Sequence, residues 1–432
     1  MNVLPAWARK YKQSVLLKRL FAVLGIDILV KLSGLILLPV YLRLMTQDEY
    51  GLYNYLLSII LTFSTVLTFG LYIPISKFYH DYKDGFQKGK LLFTTFVLLI
   101  AGLFVLILLV YSFRLDVTVI KALFKHDLDY ENYRLAILLA VVSSVFSFML
   151  TSFFFTSEKI KRVKQYNINR ILWIHLASIA LLYFMPETNA AELRLQITYS
   201  LEVILLFVFS GNLIKEMYFQ FDYKLALSSL KMGLPIMLSA LFGIVINFSD
   251  KFFLEKFGTL KDLSNYYLAI AFASIIPTIF ASVQNAWIPL FMKEKNVEET
   301  VQKTNKLIRN LTLAFISISI FIWLFLEVLL LSSVIPKKYN EVPFVLPVLL
   351  LTQISAALSA LYNNYLVYFE RAHLISITGL VICAITIVSS LLLIPRWGIY
   401  GAAVASLISN VLYLMIYNLL AKRLIARHIR AN

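Results

Sequence analysis

Apolar runs of roughly 18 or more residues, each long enough to cross the hydrocarbon of a bilayer as a helix, recur along the whole of this 432-residue chain. Lipid offers no partners to backbone N–H and C=O groups, so such runs must satisfy one another within helices and cannot form open sheets. With 60% hydrophobic residues and a mean hydropathy of +0.79, the chain is predicted to be an all-α polytopic membrane protein. The spans read as 20–45, 53–76, 91–112, 134–156, 167–185, 195–214, 230–254, 263–290, 307–331, 344–368, 374–394 and 399–421, about twelve in all.

The net charge of +16 could suggest a nucleic-acid partner, but its distribution argues otherwise. With the amino terminus in the cytoplasm, the inside segments carry 27 Lys and Arg against 12 outside, and Lys31 lies within a span. That bias is the positive-inside pattern, and it predicts both termini in the cytoplasm of a multi-pass protein of the bacterial cytoplasmic membrane. The single cysteine, Cys383, excludes an internal disulfide and reads as a core residue. Five scattered histidines give no metal pattern, and no cofactor is implied. Nucleophile elbows, phosphate loops and His-Glu-x-x-His runs are missing from the sequence, so no enzyme is expected.

The spans divide into two sets of six. Asn54-Tyr55-Leu56 opens span two and Ile73-Pro74-Ile75 closes it; Tyr266-Tyr267-Leu268 and Ile288-Pro289-Leu290 do the same for span eight. Glu158-Lys159 leaves span four and Glu370-Arg371 leaves span ten, each followed by a proline, Pro186 or Pro395. Six is even, so the halves insert in the same orientation about an axis along the membrane normal, with a central cleft between them. The expected organisation is a first bundle over 1–214, a cytoplasmic linker over 215–229 and a second bundle over 230–432. The outside segment 113–133 has the apolar spacing of a short interfacial helix, and Pro277 is expected to bend span eight.

Ionisable groups inside spans are costly and mark protein, water or ligand contacts. Asp27 and Lys31 are four apart on the first helix and share a face. They read either as a structural ion pair, or a snorkelling one, or as the wall of a polar cavity with Lys31 as an anion contact. Ser239, Gly243, Asn247 and Asp250 follow one another at offsets of four, four and three, which predicts one stripe on span seven, serving as inter-helix glue or as a cavity wall. Glu202, within span six, reads as a structural acid or as a proton-exchanging one. Span five brings Asn167, Asn169, Arg170 and His175 near its inner end, and span ten brings Asn363 and Asn364.

The run Gly34–Tyr53, with Pro39, Arg43 and Glu49-Tyr50-Gly51-Leu52-Tyr53, resembles the opening of the polysaccharide repeat-unit flippases of the MOP superfamily, often called Wzx. Gly233-Leu234-Pro235, Ser249-Asp250-Lys251-Phe252 and the stretch Ile394-Pro395-Arg396-Trp397-Gly398-Ile399-Tyr400-Gly401-Ala402-Ala403 carry the resemblance further. It implies a transporter that moves an undecaprenyl-diphosphate-linked oligosaccharide, of O-antigen, capsule or exopolysaccharide type, from the inner to the outer leaflet by alternating access. Under that resemblance Lys31 takes the diphosphate, with Arg43 and Lys251 as outer basic contacts. Asp27, Asp250 and Glu202 tune the charge or couple H⁺ or Na⁺, and Asn247, Asn363 and Asn364 meet sugar. It also implies membrane lipids, a polysaccharide polymerase and chain-length proteins as partners. A drug or cation antiporter of the same superfamily would instead favour acidic cavity residues. A polymerase or acyltransferase would need a large catalytic outside loop, and the longest here is about 20 residues.

Overall fold

A computed structural model describes residues 33–125, 128–186, 188–293 and 296–431, and among these the chain is helical with no strand. The first bundle contains α1 (Ser33–Leu44), α2 (Gln47–Leu67), α3 (Tyr72–Asp81), α4 (Gly85–Ser112), α5 (Leu115–Leu123), α6 (Tyr130–Thr156), α7 (Ile160–Phe184) and α8 (Ala190–Ile214). The second contains α9 (Tyr223–Phe257), α10 (Leu260–Ala273), α11 (Ile275–Lys293), α12 (Val297–Leu331), α13 (Val342–Tyr368) and α14 (Ala372–Ala431), which breaks at Gly398. Spans two to twelve of the sequence reading all correspond to described helices, and the first is described from Ser33 onward. The chain is a multi-pass membrane protein. As expected, the loop after α4 folds into the short helix α5. Span eight breaks after Ala273, four residues before Pro277, where the proline has no N–H for the Ala273 carbonyl.

The internal repeat is written in the helix ends. Thr46 caps α2 in a capping box with Glu49, and Thr259 caps α10 in the same way with Asp262. Asp84 caps α4 and Asn296 caps α12 through side-chain oxygens. Four non-glycine residues with left-handed backbone pair up across the halves: Arg114 after α4 with Ser333 after α12, and Glu158 after α6 with Glu370 after α13. The same local stereochemistry thus recurs at equivalent turns of both bundles.

The linker is shorter than expected. Residues 223–229 are the first turns of α9, not loop, because the Asp222 side chain accepts from the Leu225 amide and starts the helix early. The remaining 215–222 segment is strapped to the first bundle. Asp222 pairs with Lys90 at 3.2 Å, its amide donates to Thr94 Oγ1, Glu216 pairs with Lys159, and Tyr218 and Phe219 pack against Phe86 and Phe93. The Leu225 amide, and then Lys90, hold the Asp222 carboxyl below its ordinary range.

Helix α2 joins the two bundles at both of its ends. At one end, which the charge bias predicts to be outer, a Cβ on Gly51 would lie 2.1 Å from the Leu260 carbonyl oxygen. At the other, a Cβ on Gly70 would lie 2.3 Å from the Gly233 carbonyl oxygen, and Gly70 has φ +66°. Between these contacts one apolar core runs across the seam, taking in Tyr55, Leu56 and Ile59 of α2 and Leu263, Tyr266 and Leu268 of α10. Tyr267 also donates to Ser58 at 2.7 Å. The cleft expected between the bundles is therefore pinned shut along α2 in this conformation.

Candidate functional site

Inside the first bundle, α7 and α8 face each other through polar groups. Glu202, fully buried, pairs with Arg170 Nε at 2.6 Å and accepts from the Tyr166 hydroxyl at 2.5 Å. Tyr166 in turn meets Ser147 of α6 at 2.8 Å. Further along α7, His175 Nδ1 meets the Tyr41 hydroxyl of α1 at 2.7 Å. Arg194 of α8 stacks on the Tyr41 ring at 3.5 Å and the Tyr53 ring at 4.1 Å. The result is a column of titratable groups through the bundle. A cavity of about 530 Å³ opens beside it on the α7–α8 surface, lined by Arg162, Gln165, Asn169 and Trp173 on one wall and by Leu201 and Val208 on the other.

The second bundle has its own cluster. Asp250 of α9 is buried and accepts from Tyr266 at 2.7 Å, Ser406 at 3.2 Å and Lys251 Nζ at 2.9 Å. Lys251 Nζ also donates to the Asn247 carbonyl at 2.6 Å. The stripe expected on α9 changes in burial along its length. Gly243 and Asn247 are exposed, with the Asn247 amide bonded back to the Gly243 carbonyl, whereas Asp250 is buried. Gly243, Asn247 and Asp250 stand at i, i+4 and i+7 and so share one face. What differs is depth along the helix, because the Tyr266, Ser406 and Lys251 donors cover Asp250 near its end.

The other expected residues lie apart from these clusters. Asn364 is buried and exchanges hydrogen bonds with Gln284 of α11. Its neighbour Asn363 has a buried Oδ1 with no hydrogen-bond partner. Arg43 is exposed at the outer end of α1 and donates to the Ser333 carbonyl of the second bundle at 2.7 Å. Asp27 and Lys31 lie outside the described residues. The sequence groups Arg170 and His175 on span five without joining them to Glu202, and Arg194, just before the expected span 195–214, belongs to α8 and faces two rings. A spacing signal did exist for the first pair. Tyr166 and Arg170 are four apart on one helix, so both can reach one carboxylate.

The outer seam is held by a few polar contacts. Besides Arg43, Gln47 donates to the Lys338 carbonyl at 2.6 Å, and Lys338 Nζ donates to the Met45 carbonyl at 2.8 Å. Lys338 sits in a turn of 3₁₀ helix, Lys337–Tyr339, where burial lowers its ammonium below the ordinary range. Each of these bonds pairs a donor with a neutral carbonyl, so each is individually modest, about 1 kcal/mol net or somewhat more for the charged donors.

This architecture is found in solved transporters. The chain aligns with lipid II flippase MurJ in an inward closed conformation at TM-score 0.72 and 15% identity, over 93% of this chain and 87% of that one. It aligns with an outward-facing multidrug resistance MATE family transporter of the MOP superfamily at TM-score 0.60 and 15% identity, covering 96% and 97%. The Vibrio cholerae MATE transporter VcmN in its bent form gives 0.56 and 14% identity, covering 95% and 97%. At these identities the likeness establishes the fold, that of the MOP superfamily. No curated protein matches the chain. Residues 16–295 match the family described as polysaccharide biosynthesis protein. Since that match spans more than half of the chain, which also has the MOP fold, this protein is a member of the polysaccharide biosynthesis protein family.

Proposed function

We propose that the chain is a transporter that flips an oligosaccharide linked to a polyprenyl diphosphate from the inner to the outer leaflet by alternating access. The observation that carries this reading is the seam. Two bundles with matching helix ends touch at both ends of α2, and beside a shared apolar core and the Tyr267–Ser58 and Lys125–Glu255 bonds the outer contact is fastened by bonds to neutral carbonyls. Such a seam can open on one side while the other holds. The family supplies the polysaccharide, and a structural neighbour named as a lipid II flippase supplies the precedent for a lipid-linked one.

A diphosphate crossing the bilayer needs positive charge in a low-dielectric cleft. We assign that role to Lys31, with Arg43 at the outer side. Lys251 is already matched by Asp250, so the pair suits charge tuning or H⁺ or Na⁺ coupling better than direct substrate contact. Glu202 with Arg170 is the corresponding pair in the first bundle. Exposed Asn247 and the unpaired oxygen of Asn363 suit sugar hydroxyls; Asn364 is occupied by Gln284. A cation-exporting function would want an uncompensated acid, whereas Asp250 and Glu202 each hold a cation. In a strain lacking the gene, lipid-linked repeat units should accumulate on the inner leaflet. Lys31→Ala at normal membrane levels should leave that accumulation in place, and full rescue of export by this variant would remove Lys31 from the substrate path.

A further inference from the structure

Three cations from three elements lie around the outer end of α1, two of them touching Met45, and among the described residues none has a carboxylate within ion-pair distance. Arg194 Nη1 of α8 approaches Met45 Sδ at 3.5 Å, and Lys338 Nζ of the second bundle donates to the Met45 carbonyl at 2.8 Å. Two residues back, Arg43 donates to the Ser333 carbonyl. Glu49 of α2 acts on the Lys338 ammonium through space, but its hydrogen bonds are made elsewhere. One of its oxygens accepts from the Ala190 amide and the other from the amide and hydroxyl of Thr46. Glu192 of α8 accepts from Gln196.

Arg194 is the most telling of the three. Its guanidinium carbon lies 3.5 Å from the centre of the Tyr41 ring and 4.1 Å from that of Tyr53, while its edge meets the Tyr41 hydroxyl and Met45 Sδ. A thioether is a weak acceptor for that edge. A guanidinium held against two rings, with one donor on a weak acceptor, beside the Lys338 ammonium and a second arginine, matches an oxyanion that carries several charges and accepts bidentate bonds.

We propose that Arg43, Arg194 and Lys338 form a diphosphate site at the outer seam between the bundles. The inference rests on the transport reading above and adds where the anion lands before release. Lys338 and Arg43 now fasten the bundles through neutral carbonyls. A diphosphate offers them charge-assisted bonds, which are roughly twice as strong as neutral ones. Its arrival therefore draws both side chains off their carbonyls and unfastens the outer seam, so the cargo opens its own exit.

The test uses the full-length purified chain in nanodiscs, with farnesyl diphosphate and inorganic diphosphate as probes. Wild type should bind farnesyl diphosphate, with Kd at least tenfold higher in Arg194→Gln and in Lys338→Gln. Lys121→Gln, at an exposed lysine of α5 outside the three-cation cluster, should leave Kd unchanged. If Arg194→Gln fails to fold, Arg194→Lys keeps the charge and loses the fork, and should still weaken binding severalfold. Unchanged Kd in the seam variants, or no binding by wild type, overturns the site. Displacement of farnesyl diphosphate by equimolar glucuronate overturns the assignment to a diphosphate. Wild type that binds the probe through Arg194 but moves no lipid-linked oligosaccharide in proteoliposomes overturns the transport reading and leaves the site standing. Translocation together with unchanged Kd in the variants does the reverse.

Discussion

Gly51→Ala should cut transport of lipid-linked oligosaccharide at least tenfold while leaving each bundle folded. The added methyl would sit 2.1 Å from the Leu260 carbonyl oxygen and 3.1 Å from the Ser264 amide nitrogen, and both are backbone atoms of α10. Neither can rotate away, so α2 must stand off from α10. The conformation with the outer seam closed is then penalised by more than about 1.4 kcal/mol, which is the tenfold shift in population. Gly70→Ala should act similarly at the inner end, with an added cost of about 1–2 kcal/mol for the left-handed backbone, because Gly70 has φ +66° and its Cβ would meet the Gly233 carbonyl oxygen at 2.3 Å. The rate of flipping in proteoliposomes measures both variants. A Gly51→Ala chain that transports at the wild-type rate would mean that this contact is never made during turnover.

Glu202→Ala should be the most destabilising single change inside the first bundle. It leaves Arg170 facing the bundle without its carboxylate and removes the acceptor of Tyr166. Breaking a buried pair from one side costs about 3–5 kcal/mol. Because the Arg170 side chain is 41% exposed, the lower end of that range is expected. Thermal unfolding in detergent should show the loss. Replacing both partners, Arg170→Met with Glu202→Leu, should recover most of it, because no charge is then left alone. If coupling runs through this pair, the double variant should be stable and yet lose its dependence on the driving ion. A double variant that remains as unstable as Glu202→Ala would show that Tyr166, and not the ion pair, holds the site together.

The fold was largely legible in the sequence because lipid admits few solutions. Long apolar runs must become helices, and the Lys and Arg bias orders them. The repeat was visible in Glu158 and Glu370, whose left-handed backbone gives that match a physical basis. Pro277 fixed the break in span eight. The start of α9 was misplaced because the cap formed by Asp222 and its tie to Lys90 depend on α4, which is remote in sequence. The site was less legible for the same reason. Glu202 was singled out, but its partners come from α7, and nothing in the local sequence of Arg194 announces that α1 and α2 will bring Tyr41 and Tyr53 to its two faces. The stripe on span seven shares one face, but the burial of its last member, Asp250, depends on Tyr266 and Ser406, which are remote in sequence. Lys31 and Asp27 keep the roles the sequence reading gave them as proposals, because they lie outside the described residues.

Alternating access requires the two bundles to part at the outer seam during each cycle, and a reversible clamp tests that most directly. Gln47 and Lys338 are in hydrogen-bond contact across the seam, and Cys383 is the chain's one native cysteine. In a Cys383→Ser background, Gln47→Cys with Lys338→Cys can be closed by a short bifunctional thiol reagent with a reducible link. Flipping of lipid-linked oligosaccharide in proteoliposomes should stop when the link forms and return when it is reduced. Flipping that continues unchanged with the seam fully cross-linked would contradict alternating access in this protein.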